Sequence, residues 1–181
     1  MSIGRMSSAS GSAPQPTGDV HLPRIVNSVK PPPDHYTPVV GVKYNNPLGD
    51  KEARRRILNH LLRTINSVPP HEKIRIATWN FRSDEIADAL IRAHNRGVSV
   101  RVVIDRLNAN PDNNNDVFNR LTRALKRYQL SRSTEMKSYT RRCVSACRAA
   151  GGIAHNKFYL FSRAGLGRDV VMYGSVNATD L

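Results

Sequence analysis

The sequence predicts an α/β protein with a layered, mixed but mostly parallel sheet flanked by helices. Three observations lead there. Segments with strand periodicity alternate with segments whose apolar residues recur at helical spacing. One strand-like segment, Val98 to Ile104, ends in an unbroken β-branched apolar run, the pattern of a parallel strand covered by helices on both faces. A length of 181 residues gives one domain with a real core and is short for two.

The elements follow in order. Residues 1–37 are rich in Ser, Gly and Pro, include Pro31, Pro32 and Pro33, and lack periodicity, so a disordered or extended arm is expected there, with the folded unit spanning 38–181. Val39 to Tyr44 reads as a first strand closed by the turn signal Asn45-Asn46-Pro47. From Lys51 to Ile65 the residues Ile57, Leu58, Leu61, Leu62 and Ile65 form a helical stripe, with Asp50 placed to cap it and Pro69-Pro70 to stop it. Lys73 to Phe81 reads as a strand. Ser83, Asp84 and Glu85 then suit the positive end of a helix that presents Ile86, Leu90 and Ile91 and stops at Gly97. After the strand Val98 to Ile104, Asn108 to Asn115 is polar and turn-like. A helix is expected from Asp116 to Tyr128, and two strands from Ile153 to Phe161 and Val170 to Tyr173. No internal repeat is visible.

Charge points toward anions. Lys and Arg total 28 against 14 Asp and Glu, a formal net charge of +14, which attracts nucleic acid, an anionic membrane surface or phosphorylated substrates. The excess is concentrated late: from Val117 onward twelve basic residues face three acids. A solvated basic face is the competing explanation. No stretch approaches the ~18 apolar residues of a membrane-spanning helix, so no integral membrane insertion is expected. The first residues contain no apolar core of about 7–15 residues, so no intact signal peptide is read there.

Cys143 and Cys147 stand four apart in a basic, loop-like stretch without the His or acidic neighbours of a zinc site. A local disulfide is the preferred reading, and it implies an oxidising, secreted or extracellular location after removal of a signal. The alternative is a pair of reduced cysteines in a cytoplasmic protein.

The chemistry concentrates near the C-terminus. Residues two apart on a strand point the same way, so His155 and Lys157 share one face, while Asn156, Phe158 and Leu160 share the other and are expected to secure the strand to the fold. An imidazole beside an ammonium packs a core poorly but holds a phosphate well: Lys supplies charge, and His can attack phosphorus or carry a proton near neutral pH. Downstream, Gly174 allows close backbone approach, and Ser175 and Asn177 each offer a neutral donor to a phosphoryl oxygen. If the two strands are neighbours, these groups converge at the strands' carboxyl ends.

His155-x-Lys157 followed by Gly174-Ser175-x-Asn177 resembles the phospholipase D superfamily, whose signature is HxKxxxxD with a downstream GSxN. The resemblance spans about Val39 to Leu181 and implies a phospholipase D-like lobe that would continue past Leu181. It implies a phosphodiesterase acting through a phosphohistidine, with no metal or cofactor required. His155 would be nucleophile or general acid, Lys157, Ser175 and Asn177 its catalytic companions, and Lys157, Gly174, Ser175 and Asn177 the phosphate contacts. One position departs: Ser162 stands where the family has Asp. The mechanism needs two histidines, so a second HxK is expected from a homodimer partner or from a further lobe.

The substrate stays open. A phospholipid head-group phosphodiester is the leading reading, a metal-independent nuclease the alternative, and a catalytically impaired polyanion-binding module a third. Trp79 and Asn80, ending a parallel strand on the edge where open α/β sheets bind ligands, are candidate substrate contacts, against core and turn duty. Asp105, at a strand end, could face the site, but a strand-end Asp beginning a loop is the commoner reading. His21, His35, His60, His71 and His94 lack a Lys two residues on and read as surface or packing residues.

Overall fold

The computed structural model describes residues 35–109, 115–147 and 150–179. The expected arm up to residue 34, most of the Asn108 to Asn115 loop, and His21, Arg148 and Asp180 lie outside the described residues. In chain order the elements are α1 (Lys51–Arg54), α2 (Arg56–Asn66), β1 (Lys73–Thr78), α3 (Asp84–Asn95), β2 (Ser99–Ile104), a 3-10 turn (Arg106–Ala109), α4 (Asp116–Leu125), a second 3-10 turn (Thr134–Met136), β3 (Tyr139–Arg142), β4 (Lys157–Ala164) and β5 (Gly167–Tyr173). The strands form one five-stranded sheet in the order β3-β2-β1-β4-β5. β1 pairs parallel with β2, and β2 with β3; β4 is antiparallel to both β1 and β5. Four strands therefore run one way and β4 alone runs against them.

Local chemistry explains the helices. Asp50 accepts from the Ala53 amide at 2.8 Å, Ser83 from Ile86 at 3.3 Å and Asn115 from Phe118 at 3.0 Å, so three of the four helices start on a side chain that satisfies an otherwise orphaned N–H. Leu58, Leu61 and Ile65 of α2, Ile86 and Leu90 of α3, and Phe118, Leu121 and Leu125 of α4 turn into one core with Ile74, Ile76, Val100, Val102 and Ile104 of the sheet. Truncating a fully buried member such as Leu90 to alanine would cost about 2–5 kcal/mol.

Several sequence expectations are corrected. Val39 to Tyr44 is not a strand: Val39 is 68 %, Val40 99 % and Val42 88 % exposed. Strand propensity describes fitness for a pleated, half-buried surface, and among the described residues this segment has no strand beside it. It is held instead by its flanks, where the Thr37 hydroxyl accepts from the Leu166 amide and the Asn45 side chain from the Ile57 amide. The expected helix Lys51 to Ile65 is two pieces broken at Arg55. The helix expected to reach Tyr128 ends at Leu125, and Tyr128 takes a left-handed φ of 59°. β3 was not anticipated, being short and mostly exposed.

The two faces of the sheet differ. Ile74, Ile76 and Thr78 of β1 point into the helices while Lys73, Arg75 and Ala77 are half-exposed, and β2 alternates likewise, with Arg101 and Val103 half-exposed. Among the described residues the helices cover one face, so the apolar run of β2 is not covered on both sides. In β4 the buried side chains are Lys157, Tyr159 and Phe161, while Phe158 and Leu160 are each 42 % exposed. This inverts the expected division, in which Phe158 and Leu160 secure the strand. Period-two alternation says which residues share a face and not which face is covered.

Candidate active site

The reversal of β4 builds the site. Because β4 runs against its neighbours, its first residue, Lys157, pairs with Thr78, the last residue of β1. Phe158 pairs with Tyr173, the last residue of β5. The amino end of β4 thus meets the carboxyl ends of β1, β2, β3 and β5. The convergence expected at two carboxyl ends occurs, for β4, at its amino end. A backbone bond from the Gly174 N–H to the Lys157 carbonyl, 3.3 Å, sets the 174–177 loop beside this point.

His155 precedes β4 and is exposed, whereas Lys157 is 2 % exposed. The two side chains meet: Lys157 Nζ lies 3.1 Å from His155 Nδ1, 3.2 Å from Nε2 and 3.1 Å from the His155 carbonyl oxygen. Standing nearly equidistant from both ring nitrogens, the ammonium is not aligned with the lone pair of either. Among the described residues no carboxylate is ion-paired with it. Removal from water pulls the Lys157 pKa below the ordinary lysine value. A buried cation with no counterion is costly, and an incoming anion would relieve that cost.

Trp79 forms the wall behind both groups. Its ring centroid is 4.6 Å from that of His155 at an interplanar angle of 50°, and Lys157 Nζ lies 5.5 Å from the indole centroid, within cation–π range. The Trp79 amide donates to the Asn156 carbonyl at 2.9 Å, tying the end of β1 to the approach of β4. Three polar atoms near this edge are buried without a hydrogen-bond partner: Trp79 Nε1, Asn80 Oδ1 and Asn177 Oδ1. Buried polar groups are ordinarily satisfied, so unspent hydrogen-bonding capacity gathers beside the unpaired ammonium. An Asn amide can also turn its NH2 toward an anion. Ser175 and Gly174 are exposed in the adjoining loop.

Asp105 does more than begin a loop. It is 1 % exposed and its carboxylate accepts from the Leu107 amide at 2.9 Å and from the Ala154 amide at 2.7 Å. It thereby fastens the residue before His155 to the end of β2. From the sequence, an acid at a strand end favours loop-starting duty and leaves a place facing the site as the alternative; nothing local indicates the bond to Ala154. The 174–177 loop is anchored as well. The Ala178 carbonyl accepts from the Arg82 and Ser83 amides at 2.7 and 2.9 Å, and Phe81 bridges Ala178 in parallel.

Cys143 and Cys147 form a disulfide with a Cα–Cα distance of 4.9 Å. It lies on the same edge, since the Cys143 amide donates to the Ile104 carbonyl at 3.0 Å. Ser162, at the family's Asp position, is at the far end of β4. Its hydroxyl donates to Glu72 at 2.5 Å and accepts from the Lys73 amide at 2.8 Å. Five residues of strand, about 16 Å at ~3.3 Å each, separate it from Lys157, so it takes no direct part in this edge.

The remaining described histidines lie elsewhere. His60 bonds to the Tyr36 hydroxyl at 2.5 Å, and His71 occupies a turn before β1 at the opposite edge. His94 is buried against the Ser138 hydroxyl at 2.9 Å and the Arg127 carbonyl at 3.0 Å. Burial, then the nearby Arg132 charge, lowers its pKa to about 4, with the Arg127 carbonyl opposing. His35 is exposed and precedes Tyr36, the partner of His60, so among the described residues His155 is the only histidine on the site edge.

The chain matches the model of a family described as cardiolipin synthase, PLD-like domain, over residues 61–181. A crystal structure of a phospholipase D family member, Nuc from Salmonella typhimurium, is similar at 24 % identity with a TM-score of 0.48, over 72 % of this chain and 68 % of that one. NucT from Helicobacter pylori is similar at 21 % identity with a TM-score of 0.48, over 72 % of each chain. No curated protein matches.

Proposed function

The chain belongs to the phospholipase D superfamily, whose members are phosphodiesterases, and from that premise we propose that it hydrolyses a phospholipid head-group phosphodiester through a phosphohistidine on His155. The observation that carries this reading is the buried Lys157 ammonium, not ion-paired among the described residues, against an exposed imidazole and the Trp79 ring, with unspent polar atoms of Trp79, Asn80 and Asn177 at the same edge. A phosphodiester brings the missing negative charge. A nitrogen of His155 attacks phosphorus, the phosphorus–oxygen bond to the leaving alcohol breaks, and a second histidine gives that alkoxide a proton. Water, deprotonated by the second histidine, then displaces His155 and leaves a phosphate monoester. Lys157, Asn177 and Ser175 stabilise charge on the equatorial oxygens, and Trp79 positions the imidazole. The second histidine belongs to another HxK motif, in a homodimer partner or a further lobe.

Two things favour a lipid. The matching family model is described as cardiolipin synthase, PLD-like domain. Apolar side chains also stand exposed on the site edge: Leu107 at 51 %, Val144 at 91 %, Ile153 at 49 % and Val176 at 40 %. The net charge of +14 favours a second reading, a nuclease acting on DNA or RNA by the same chemistry. The disulfide favours work in an oxidising, extracellular compartment.

The test compares the native protein with His155→Ala on dispersed phosphatidylglycerol and on single- and double-stranded DNA, with chelator present. Head-group release that depends on His155, with an acid-labile phosphoprotein trapped on quenching, is expected. Cleavage of DNA alone would move the substrate to nucleic acid. Binding without His155-dependent cleavage of either would leave a polyanion-binding module.

A further inference from the structure

The apolar residues around the site edge are held outward by design of the backbone. Val144 follows Cys143, whose amide is bonded to the Ile104 carbonyl and whose sulfur is bonded to Cys147. Ile153 precedes Ala154, whose amide is bonded to the buried Asp105 carboxylate. A valine 91 % exposed between such anchors has little chain entropy left to lose when it meets a partner. Leu107 follows β2 and Val176 follows β5, so four loops each bring one apolar side chain to the edge where His155 opens. Cations flank them. Arg106 and Arg142 are exposed, each bonded only to a backbone carbonyl, of Val144 at 3.4 Å and Ala109 at 3.3 Å, and neither is ion-paired among the described residues.

We infer that this rim docks on an anionic lipid surface, with Val144 and Ile153 entering the headgroup boundary and Arg106 and Arg142 facing the lipid phosphates. The inference rests on the phospholipid reading above and adds to it how the site reaches its substrate. Separate apolar tips flanked by arginine suit a lipid interface, which deforms around each tip and supplies negative charge. A protein partner would need roughly 800 Å² of continuous complementary surface. Continuous apolar surface lies elsewhere, on the uncovered sheet face with Phe158, Leu160, Val171 and Tyr173, which makes that face a built-in control.

The experiment uses full-length His155→Ala protein, so that no lipid turns over, sedimented with phosphatidylcholine vesicles and with vesicles of phosphatidylcholine and phosphatidylglycerol. Salt-sensitive binding to the second kind is expected. Adding Val144→Asp or Ile153→Asp is expected to weaken it roughly tenfold, and Arg106→Gln or Arg142→Gln about fivefold each. Val171→Asp on the open sheet face is expected to leave it unchanged. The inference is overturned if the rim variants bind like their parent, if Val171→Asp is the damaging change, or if the rim variants weaken binding of a single-stranded oligonucleotide as much as binding of vesicles. It is equally overturned if no vesicle is bound while the native protein hydrolyses monomeric short-chain phospholipid, in which case the phosphodiesterase reading stands. Rim-dependent vesicle binding without hydrolysis by the native protein supports the docking surface and removes the reading beneath it.

Discussion

At one end of β4 stands Lys157, buried and, among the described residues, without a counterion, at the edge where side-chain atoms of Trp79, Asn80 and Asn177 have no partner. At the other end stands Ser162, donating to Glu72 and accepting from the Lys73 amide, with Lys73 in turn ion-paired to Glu135 at 2.7 Å. The same strand in the same sheet is electrostatically complete at one edge and incomplete at the other. The difference teaches where chemistry is expected. Among the described residues, three of the four buried side-chain polar atoms without a partner lie near this edge, the fourth being Arg96 Nε just after α3, and such a concentration beside a buried cation is where a ligand is expected. Ser162, in place of the family's Asp, belongs to the complete edge, about 16 Å along the strand from Lys157.

The contrast can be broken most severely at the incomplete edge. His155→Ala is expected to reduce kcat/KM roughly a thousandfold or more while leaving the thermal midpoint unchanged, since the side chain is exposed; turnover assays and a melting curve check both. Lys157→Met is expected to abolish turnover similarly and yet raise stability by about 1 kcal/mol, because an uncompensated buried charge is removed. A lower melting temperature for Lys157→Met would mean that the ammonium is compensated after all.

The remaining predictions concern groups that hold the edges in place. His94 is buried neutral with its pKa lowered from 6.5 to about 4. Between those values the unfolded chain binds a proton that the folded chain refuses. Its contribution is therefore complete above pH 6.5 and is lost as pH falls toward 4, by up to about 3 kcal/mol. Denaturant melts across that range should show the loss, and His94→Gln should flatten it. Asp105→Ala, which strips an acceptor from the Ala154 and Leu107 amides, is expected to cost about 1–3 kcal/mol and to lower kcat, as His155 loses its fixed approach. Ser162→Ala should cost about 1 kcal/mol with kcat/KM unchanged; a loss of activity there would erase the distinction between the two ends.

Much of this is legible in the amino-acid sequence. Ser83 and Asp50 cap helices where their types and positions suggest, the stripes of α2 and α3 face the core, and the alternation of strand and helix yields a layered α/β fold. Of the stripe Val117, Leu121, Leu125 and Tyr128 read for α4, only Leu121 and Leu125 are buried, Phe118 taking the inner place that Tyr128 does not. His155 and Lys157 were legible as a pair because their spacing and chemistry are local. Less legible were features requiring knowledge of neighbours. Val39 to Tyr44 has the composition of a strand and lacks a strand to pair with. Phe158 and Leu160 look like core residues and face outward. Asp105 and Ala154 are 49 residues apart in the chain, and nothing local announces their bond.

The sequence alone determined the element types, the caps, the basic excess and the residue types able to handle a phosphate, because each depends on side-chain chemistry and on spacing within a few residues. Only the tertiary structure decided that β4 runs against its neighbours, that its amino end therefore meets four carboxyl ends, and that Lys157 is buried there with no counterion among the described residues. Strand direction and the covered face are set by which surfaces can be buried together, a property of the whole core that no short stretch of chain encodes.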